Sequence, residues 1–183
     1  MRRSCWIVVG VVFTGCARDP LDTCPQIVAG DLVVTEVRGD DDAANGSWIE
    51  LFNASGATLD LEGARIRFRH KDGSSEVPVL IRRPLSVAAA DYVVLGRYLD
   101  GAQPAHIDYA FGEDFEESWL GAAAIDLEAC GERIDLAQYD ALPDEGTYSL
   151  GTPPDATTND LPESWCFDAT PAGTPGAANT ACP

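Results

Sequence analysis

The chain has 183 residues, which is enough for one domain with tails and too few for two domains of ordinary size. Its 12 Lys and Arg stand against 30 Asp and Glu, which gives a net charge of −18. No basic patch is visible in the sequence, so nucleic acid is excluded as a partner. Seventeen Gly and twelve Pro predict many turns and few long helices.

The N-terminus has the pattern of an export signal. Arg2 and Arg3 precede a short apolar run at residues 5–13. A helix that spans a bilayer needs about 20 apolar residues, whereas a run of this length is typical of the apolar part of a signal peptide. We therefore expect residues 1–15 to be a signal peptide.

The segment that follows, Thr14-Gly15-Cys16, resembles a bacterial lipobox, in which a cysteine receives a diacylglycerol group. The resemblance implies that Cys16 is lipidated and that residues 16–30 tether the protein to a membrane. Ala17 after the cysteine favours the outer membrane or the cell surface. The alternative is a plain secretory signal followed by an incidental cysteine.

Four cysteines remain once the leader and the lipidated residue are set aside: Cys24, Cys130, Cys166 and Cys182. An even number in an exported chain predicts two disulfides. We favour Cys166–Cys182 with Cys24–Cys130, because the first pair closes a short tail rich in Pro and Gly. Cys24–Cys182 with Cys130–Cys166 stays open. A zinc site is a poor rival, because no C-x-x-C spacing occurs and the chain has two His.

Short runs with strand character follow one another at regular spacing between turn residues. Arg65, Arg67 and Arg69 alternate with Ile66 and Phe68, which is the period of a half-buried strand. The runs are residues 31–38, 47–53, 57–61, 64–69, 76–82, 91–96, 107–111, 123–127, 133–139 and 147–150. This spacing favours an all-β fold, an antiparallel Ig-like β-sandwich over residues 31–179. Residues 152–183, rich in Pro, Gly, Asn and Thr, are expected to wrap it as irregular chain.

Several of these runs resemble the lamin tail domain family as it occurs in bacteria. The second strand, Trp48-Ile49-Glu50-Leu51-Phe52-Asn53, and the closing Thr174-Pro175-Gly176-Ala177-Ala178-Asn179 carry the resemblance, which spans about residues 27–179. It implies an Ig-like sandwich found in surface lipoproteins, and a role in protein interaction. The family has no catalytic residues, so the resemblance transfers none.

The acidic loop between the first two strands gathers oxygen ligands: Asp40, Asp41, Asp42 and Asn45. Calcium takes six to eight oxygens, and this loop offers three or four without an EF-hand pattern. Calcium is therefore a candidate ligand here. The alternative is a solvated hairpin loop that turns at Asn45-Gly46.

A second acidic loop places aromatic rings among carboxylates: Glu113, Asp114, Phe115, Glu116, Glu117 and Trp119. Aromatic side chains dominate the energetics of interfaces, so this loop is a candidate protein contact. A merely solvated loop is the simpler alternative, and a carboxylate-based hydrolase is the remote one. His70 and His106 belong to no H-E-x-x-H motif, and no G-x-S-x-G motif occurs.

The sequence therefore predicts a non-enzymatic lipoprotein module, at the cell surface or in the periplasm, that binds an envelope protein or glycan. Its alternatives are a purely structural envelope protein and a calcium-binding module. No cofactor other than calcium is expected.

Overall fold

The structure, a computed structural model, describes residues 23–39, 44–115, 121–151 and 153–182. These residues form short strands and a single turn of 3-10 helix at Pro162–Ser164. The strands are β1 (Leu32–Arg38), β2 (Trp48–Asn53), β3 (Leu59–Asp60), β4 (Arg65–Arg69), β5 (Val77–Leu80), β6 (Ser86–Val87), β7 (Tyr92–Gly96), β8 (Tyr109–Ala110), β9 (Ala123–Ala129), β10 (Glu132–Tyr139), β11 (Thr147–Leu150) and β12 (Trp165–Asp168). The all-β prediction is confirmed.

Two sheets make up the sandwich. The larger has six strands in the order β12-β11-β1-β2-β7-β8, and the smaller has four in the order β10-β9-β4-β5. A two-stranded pair, β3-β6, lies beside them. Every described pairing is antiparallel except β7 with β8, which is parallel and departs from the wholly antiparallel arrangement expected.

The core lies between the sheets and follows from the alternation of side chains along each strand. Ile49 and Leu51 of β2 face Ile66 and Phe68 of β4 within one buried cluster. The opposite face of the six-stranded sheet is buried as well. There Trp48, Val94 and Ile107 form a smaller apolar cluster, and polar side chains occupy the neighbouring positions.

Six of the predicted strands are found with ends shifted by one residue at most: those at 31–38, 47–53, 64–69, 91–96, 133–139 and 147–150. The prediction for residues 152–183 is wrong in part, since this stretch contains β12. Its four residues, Trp165–Asp168, pair with all four residues of β11. A strand this short has too few residues to show a period, and its long-range partner determines its conformation.

Both disulfides follow the favoured pairing, Cys24–Cys130 and Cys166–Cys182, and the alternative pairing is wrong. Cys130 and Gly131 form the two-residue turn between β9 and β10, and both have positive φ, of 56° and 82°. That is the turn type whose twist matches a hairpin. Disulfides of this kind are typical of proteins in an oxidising compartment outside the cytoplasm.

Two arginines of β4 and two of the β5–β6 connection pair with carboxylates. Arg67 contacts Glu76 and Glu128, and Arg69 contacts Asp126 on the neighbouring strand. No helix in the described ranges is long and apolar enough to cross a membrane.

Candidate functional site

Several predicted site residues lie outside the described residues: Cys16, Asp40, Asp41, Asp42, Glu116, Glu117 and Trp119. Asn45 is described, and its backbone oxygen lies 3.3 Å from Nε2 of His106. Within the described ranges, no group of three His, Cys, Asp or Glu side chains is arranged to hold a metal. Calcium binding at the Asp40–Asn45 loop stays a prediction.

The predicted aromatic contact at Phe115 is wrong. Its ring is only 2% exposed and packs edge-on against Phe68, with 4.9 Å between ring centroids. Asp114 lies 3.5 Å from Nε of Arg82, and Glu113 is exposed. The sequence did not show that Phe115 turns inward, because aromatic residues flanked by acids fit a surface loop equally well.

A pair of buried glutamates lies on the outer face of the six-stranded sheet. Glu36 of β1 and Glu50 of β2 are directly opposite each other in the strand register. Both are fully buried, because residues 170–182 cross over this face. We call residues 170–182 the C-terminal cover.

The cover satisfies both carboxylates with hydrogen-bond donors. Thr174 donates its backbone N–H and its hydroxyl to Oε2 of Glu36, at 3.2 and 3.0 Å. Gly176 N–H donates to Oε2 of Glu50 at 2.7 Å, and Thr35 donates its hydroxyl to Oε1 at 2.8 Å. Buried carboxylates need such partners to offset the loss of hydration.

Further contacts fix the cover along its length. Arg38 of β1 donates through Nε to the carbonyl of Pro171 at 3.1 Å. Asn179 donates to the carbonyls of Thr35 and Leu150, at 2.7 and 2.9 Å. Gly173 has a φ of +65°, and a Cβ there would lie 2.6 Å from a methyl group of Thr147. Only glycine fits that position.

Burial changes the acidity of these groups. Removal from water raises the pKa of Glu50 to about 8, and the neighbouring charge of Glu36 adds to the effect. Burial also raises the pKa of Glu36, while hydrogen bonds from Thr147 and Thr174 oppose the rise. Because the cover closes over both groups, this pair holds the fold together and is closed to a substrate.

The two elements of the family resemblance meet at this pair. Glu50 comes from the second-strand motif, and Gly176 and Asn179 come from the closing motif. A role for the two motifs together was not evident from the sequence. Alternation along β2 puts Glu50 on the outer face, where a glutamate is ordinarily solvated, and no pattern in the sequence indicates what covers that face.

Among the described residues, β12 forms one outer edge of the six-stranded sheet, which we call the β12 edge. Gly151 N–H donates to the carbonyl of Ser164 at 2.8 Å. Directly opposite residues in an antiparallel ladder alternate between hydrogen-bonded and non-hydrogen-bonded pairs. Gly151 and Ser164 form a hydrogen-bonded pair, so Tyr148 and Phe167, three positions further along the register, form a non-hydrogen-bonded pair. The backbone N–H and C=O of Phe167 therefore point away from β11, toward the outside of the sheet.

Aromatic rings line the face beside this edge. The ring of Tyr148 stacks on Trp165, with 4.9 Å between centroids and 11° between planes, and lies 5.5 Å from the ring of Phe167. Trp165 is anchored by its Nε1–H, which donates to the carbonyl of Asn159 at 2.8 Å. The row runs from the buried Trp165 to Phe167, which is 60% exposed.

The chemistry of this edge is compatible with docking of an extended chain. It offers backbone hydrogen-bonding groups and an exposed ring beside Tyr148. Sequence reasoning missed both Tyr148 and Phe167 as site residues. The alternation of Trp165 and Phe167 within an otherwise turn-rich stretch was the available signal. No family model matches the chain, and no curated protein matches it significantly.

Proposed function

We propose that this protein is a non-enzymatic module of the bacterial cell envelope that binds a polypeptide partner through the β12 edge. The observation that carries the proposal is Phe167, a large apolar ring that is 60% exposed on the outermost strand of a sheet. An exposed aromatic next to free backbone groups suits strand-like peptide recognition.

The setting supports an envelope protein. Two disulfides favour an oxidising compartment. The lipobox-like Thr14-Gly15-Cys16 favours a lipid anchor. An all-β sandwich agrees with the Ig-like, lamin tail-like domain that the motifs suggest, and that resemblance itself points to protein interaction.

A polypeptide is preferred over a glycan as partner because of the backbone groups at the edge. A sugar ring stacks on an aromatic face but does not use a repeating pattern of main-chain donors and acceptors. The pair Glu36 and Glu50 does not suit a hydrolase, because it lies under the C-terminal cover, where Thr174 and Gly176 already occupy its oxygens.

Site-specific photo-crosslinking tests the proposal. A benzophenone amino acid is placed at Phe167 in one version of the tagged chain and at Leu99 in another, in intact source cells. Leu99 is the matched control, because it is 62% exposed and lies in a loop away from β12. The adducts are identified by mass spectrometry.

The expected result is one dominant protein adduct from position 167 that is absent from position 99. The same set of adducts from both positions would contradict the proposal, and so would a glycan as the only adduct from position 167.

A further inference from the structure

We propose that the partner segment is an extended polypeptide that carries alternating apolar and basic residues and adds to β12 as a seventh strand of the larger sheet. This inference rests on the proposed function and specifies the chemistry of its partner. It follows from the edge geometry, from the side chains on each face of β12, and from the charge of the surrounding chain.

The other edge strands of the two larger sheets carry features that hinder strand addition. On β10 the carbonyl of Ile134 accepts the N–H of Gly30 at 3.0 Å. On β5 a proline, Pro78, interrupts the row of donors. The strand β8 has two residues, which leaves little backbone to pair. Edges are usually protected in such ways. On β12 the N–H of Trp165 is occupied, whereas no described hydrogen bond occupies the N–H or the C=O of Phe167.

The free groups of β12 define the alignment of an added strand. Phe167 presents both its N–H and its C=O, and Trp165 presents its C=O, because the Trp165 N–H already donates to Pro162. The incoming residue opposite Phe167 exchanges two hydrogen bonds with it, and its side chain lies on the same face as the Phe167 ring. That residue should therefore be apolar.

The neighbours of that incoming residue point to the other face, where β12 carries Asp168. A lysine or arginine at this position would lie near the Asp168 carboxylate. Because the side chains of β12 point alternately to an aromatic face and to an acidic face, the partner strand should alternate apolar with basic side chains.

The charge of the C-terminal part of the chain agrees with a basic partner. Residues 134–183 contain no Lys, Arg or His. They contain eight acids, Asp135, Asp140, Asp144, Glu145, Asp155, Asp160, Glu163 and Asp168. Glu163 lies in the helical turn just before β12, and Gly146, which follows Asp144 and Glu145, packs against the carbonyl of Asp168. Both ends of β12 are therefore acidic, and this field attracts a cationic strand.

A peptide titration of the mature, disulfide-bonded protein tests the inference. The probe is acetyl-Lys-Val-Lys-Phe-Lys-Val-Lys-amide, and its affinity is measured by isothermal calorimetry at low and high salt. One control peptide has Glu in place of each Lys. Another keeps the side chains but has N-methyl groups on the Val and Phe amides, which blocks the strand edge that would pair with Phe167.

Two protein variants sharpen the test. Phe167→Pro removes the outward N–H together with the ring and leaves the bonds to β11, whereas Phe167→Ser removes only the ring, so the difference between the two variants reports on the N–H. Leu99→Ser is the matched control for the loss of an exposed apolar side chain. Circular dichroism and the melting temperature check that each variant is folded. If Phe167→Pro does not fold, Phe167→Ser alone tests the contribution of residue 167 to peptide binding.

We expect the lysine peptide to bind, and both control peptides to bind at least about tenfold more weakly. Phe167→Pro and Phe167→Ser should each weaken the lysine peptide at least about fivefold, and Leu99→Ser should leave it unchanged. Equal binding of the N-methylated peptide, or no effect at Phe167, overturns strand addition. Crosslinking that finds a protein partner while the lysine peptide fails to bind overturns this inference and leaves the proposed function standing.

Discussion

Glu50 is the single residue whose acidity depends most on the C-terminal cover. Residues 170–182 remove it from water, and this raises its pKa to about 8 from the ordinary value of 4.5. Gly176 and Thr35 still donate hydrogen bonds to the carboxylate, at 2.7 and 2.8 Å. These bonds favour the charged form but do not outweigh desolvation. Between pH 4.5 and about pH 8 the folded protein therefore holds a proton here that the unfolded chain has released.

This proton makes stability fall as pH rises. A carboxyl whose pKa is raised on folding contributes stability that is complete below its unfolded pKa and is lost as pH passes its folded pKa. For Glu50 the window runs from 4.5 to about 8. We expect the free energy of unfolding to be about 2 kcal/mol lower at pH 8 than at pH 6. Urea denaturation at constant ionic strength measures it.

The variant Glu50→Gln should remove most of this difference, because its amide is neutral at every pH in the window. Glu132→Gln, at an exposed position on β10, is the control and should keep the wild-type dependence. Burial raises the pKa of Asp135 to about 6, so its contribution changes mainly below pH 6 and adds little to the difference between pH 6 and pH 8. Equal stability of the wild type at pH 6 and pH 8 would contradict the covered state of Glu50.

Asn179 is the polar residue that joins the end of the cover to the sheet. Its amide donates to the carbonyls of Thr35 and Leu150, and its oxygen lies 2.9 Å from the Thr174 hydroxyl. Asn179→Ala removes this donor from both buried carbonyls and should cost about 2–3 kcal/mol of stability. Ala178→Ser, on the exposed side of the cover, should stay within about 0.5 kcal/mol of the wild type. Similar losses in the two variants would refute a specific role for Asn179.

At the scale of elements, the cover is held at one end by the Cys166–Cys182 disulfide and along its length by hydrogen bonds to β1, β2 and β11. The disulfide closes a loop with a sequence separation of 16. A loop of that size contributes about 3 kcal/mol by limiting the unfolded chain. The disulfide and the carboxylate pair thus stabilise the same element by separate means.

Removing this disulfide should loosen the cover selectively. In the double variant Cys166→Ser, Cys182→Ser, we expect the amides of Thr174 and Gly176 to exchange hydrogen at least about tenfold faster. NMR-detected hydrogen exchange measures both amides. The double variant Cys24→Ser, Cys130→Ser is the control, since it unties the N-terminal segment and leaves the cover in place. If exchange at Gly176 is unchanged in the first variant, the hydrogen bonds alone hold the cover.

The long strands could be predicted from the sequence because alternation is a local property. In β4 the arginines at alternate positions marked which face is buried, and Ile66 and Phe68 are indeed in the core. The favoured disulfides were also predicted, from the need of a turn-rich tail for a covalent anchor. Both arguments need only neighbouring residues and composition.

The cover and β12 could not be predicted in the same way, because both depend on contacts between residues far apart in the chain. Glu50 and Gly176 are 126 positions apart, so the pattern around either gives no hint of the other. At Phe115 the local pattern was misleading, because it predicted exposure for a residue that is buried. Its acidic neighbours suggested the surface, but Phe68 and Phe111 provide a buried site for its ring.

Over the whole molecule, charge is distributed unevenly along the chain. All 12 Lys and Arg precede residue 134, and the arginines of the smaller sheet pair with acids there. The C-terminal part, which includes β11, β12 and the cover, has only acids. The protein therefore presents one strongly acidic region, and the β12 edge lies within it.

The proposed lipid anchor determines where this region acts. If Cys16 carries the lipid, Cys16→Ala should move most of the protein from the membrane fraction to the soluble fraction, because acyl chains supply the membrane affinity. Fractionation and labelling with a fatty-acid analogue measure the change. Cys5→Ala, within the leader, is the control and should leave the labelling unchanged. Membrane retention and labelling of Cys16→Ala would refute the anchor.

The exchange of backbone amides along β12 tests the central claim most directly. In the free protein, Cys166 and Asp168 bond to β11 whereas the Phe167 N–H faces outward. Hydrogen exchange is measured by NMR with and without the alternating lysine peptide. Strand binding at the β12 edge predicts that Phe167 becomes protected at least about tenfold while Cys166 and Asp168 change little. An unchanged Phe167 amide in the presence of saturating peptide would contradict binding at this edge.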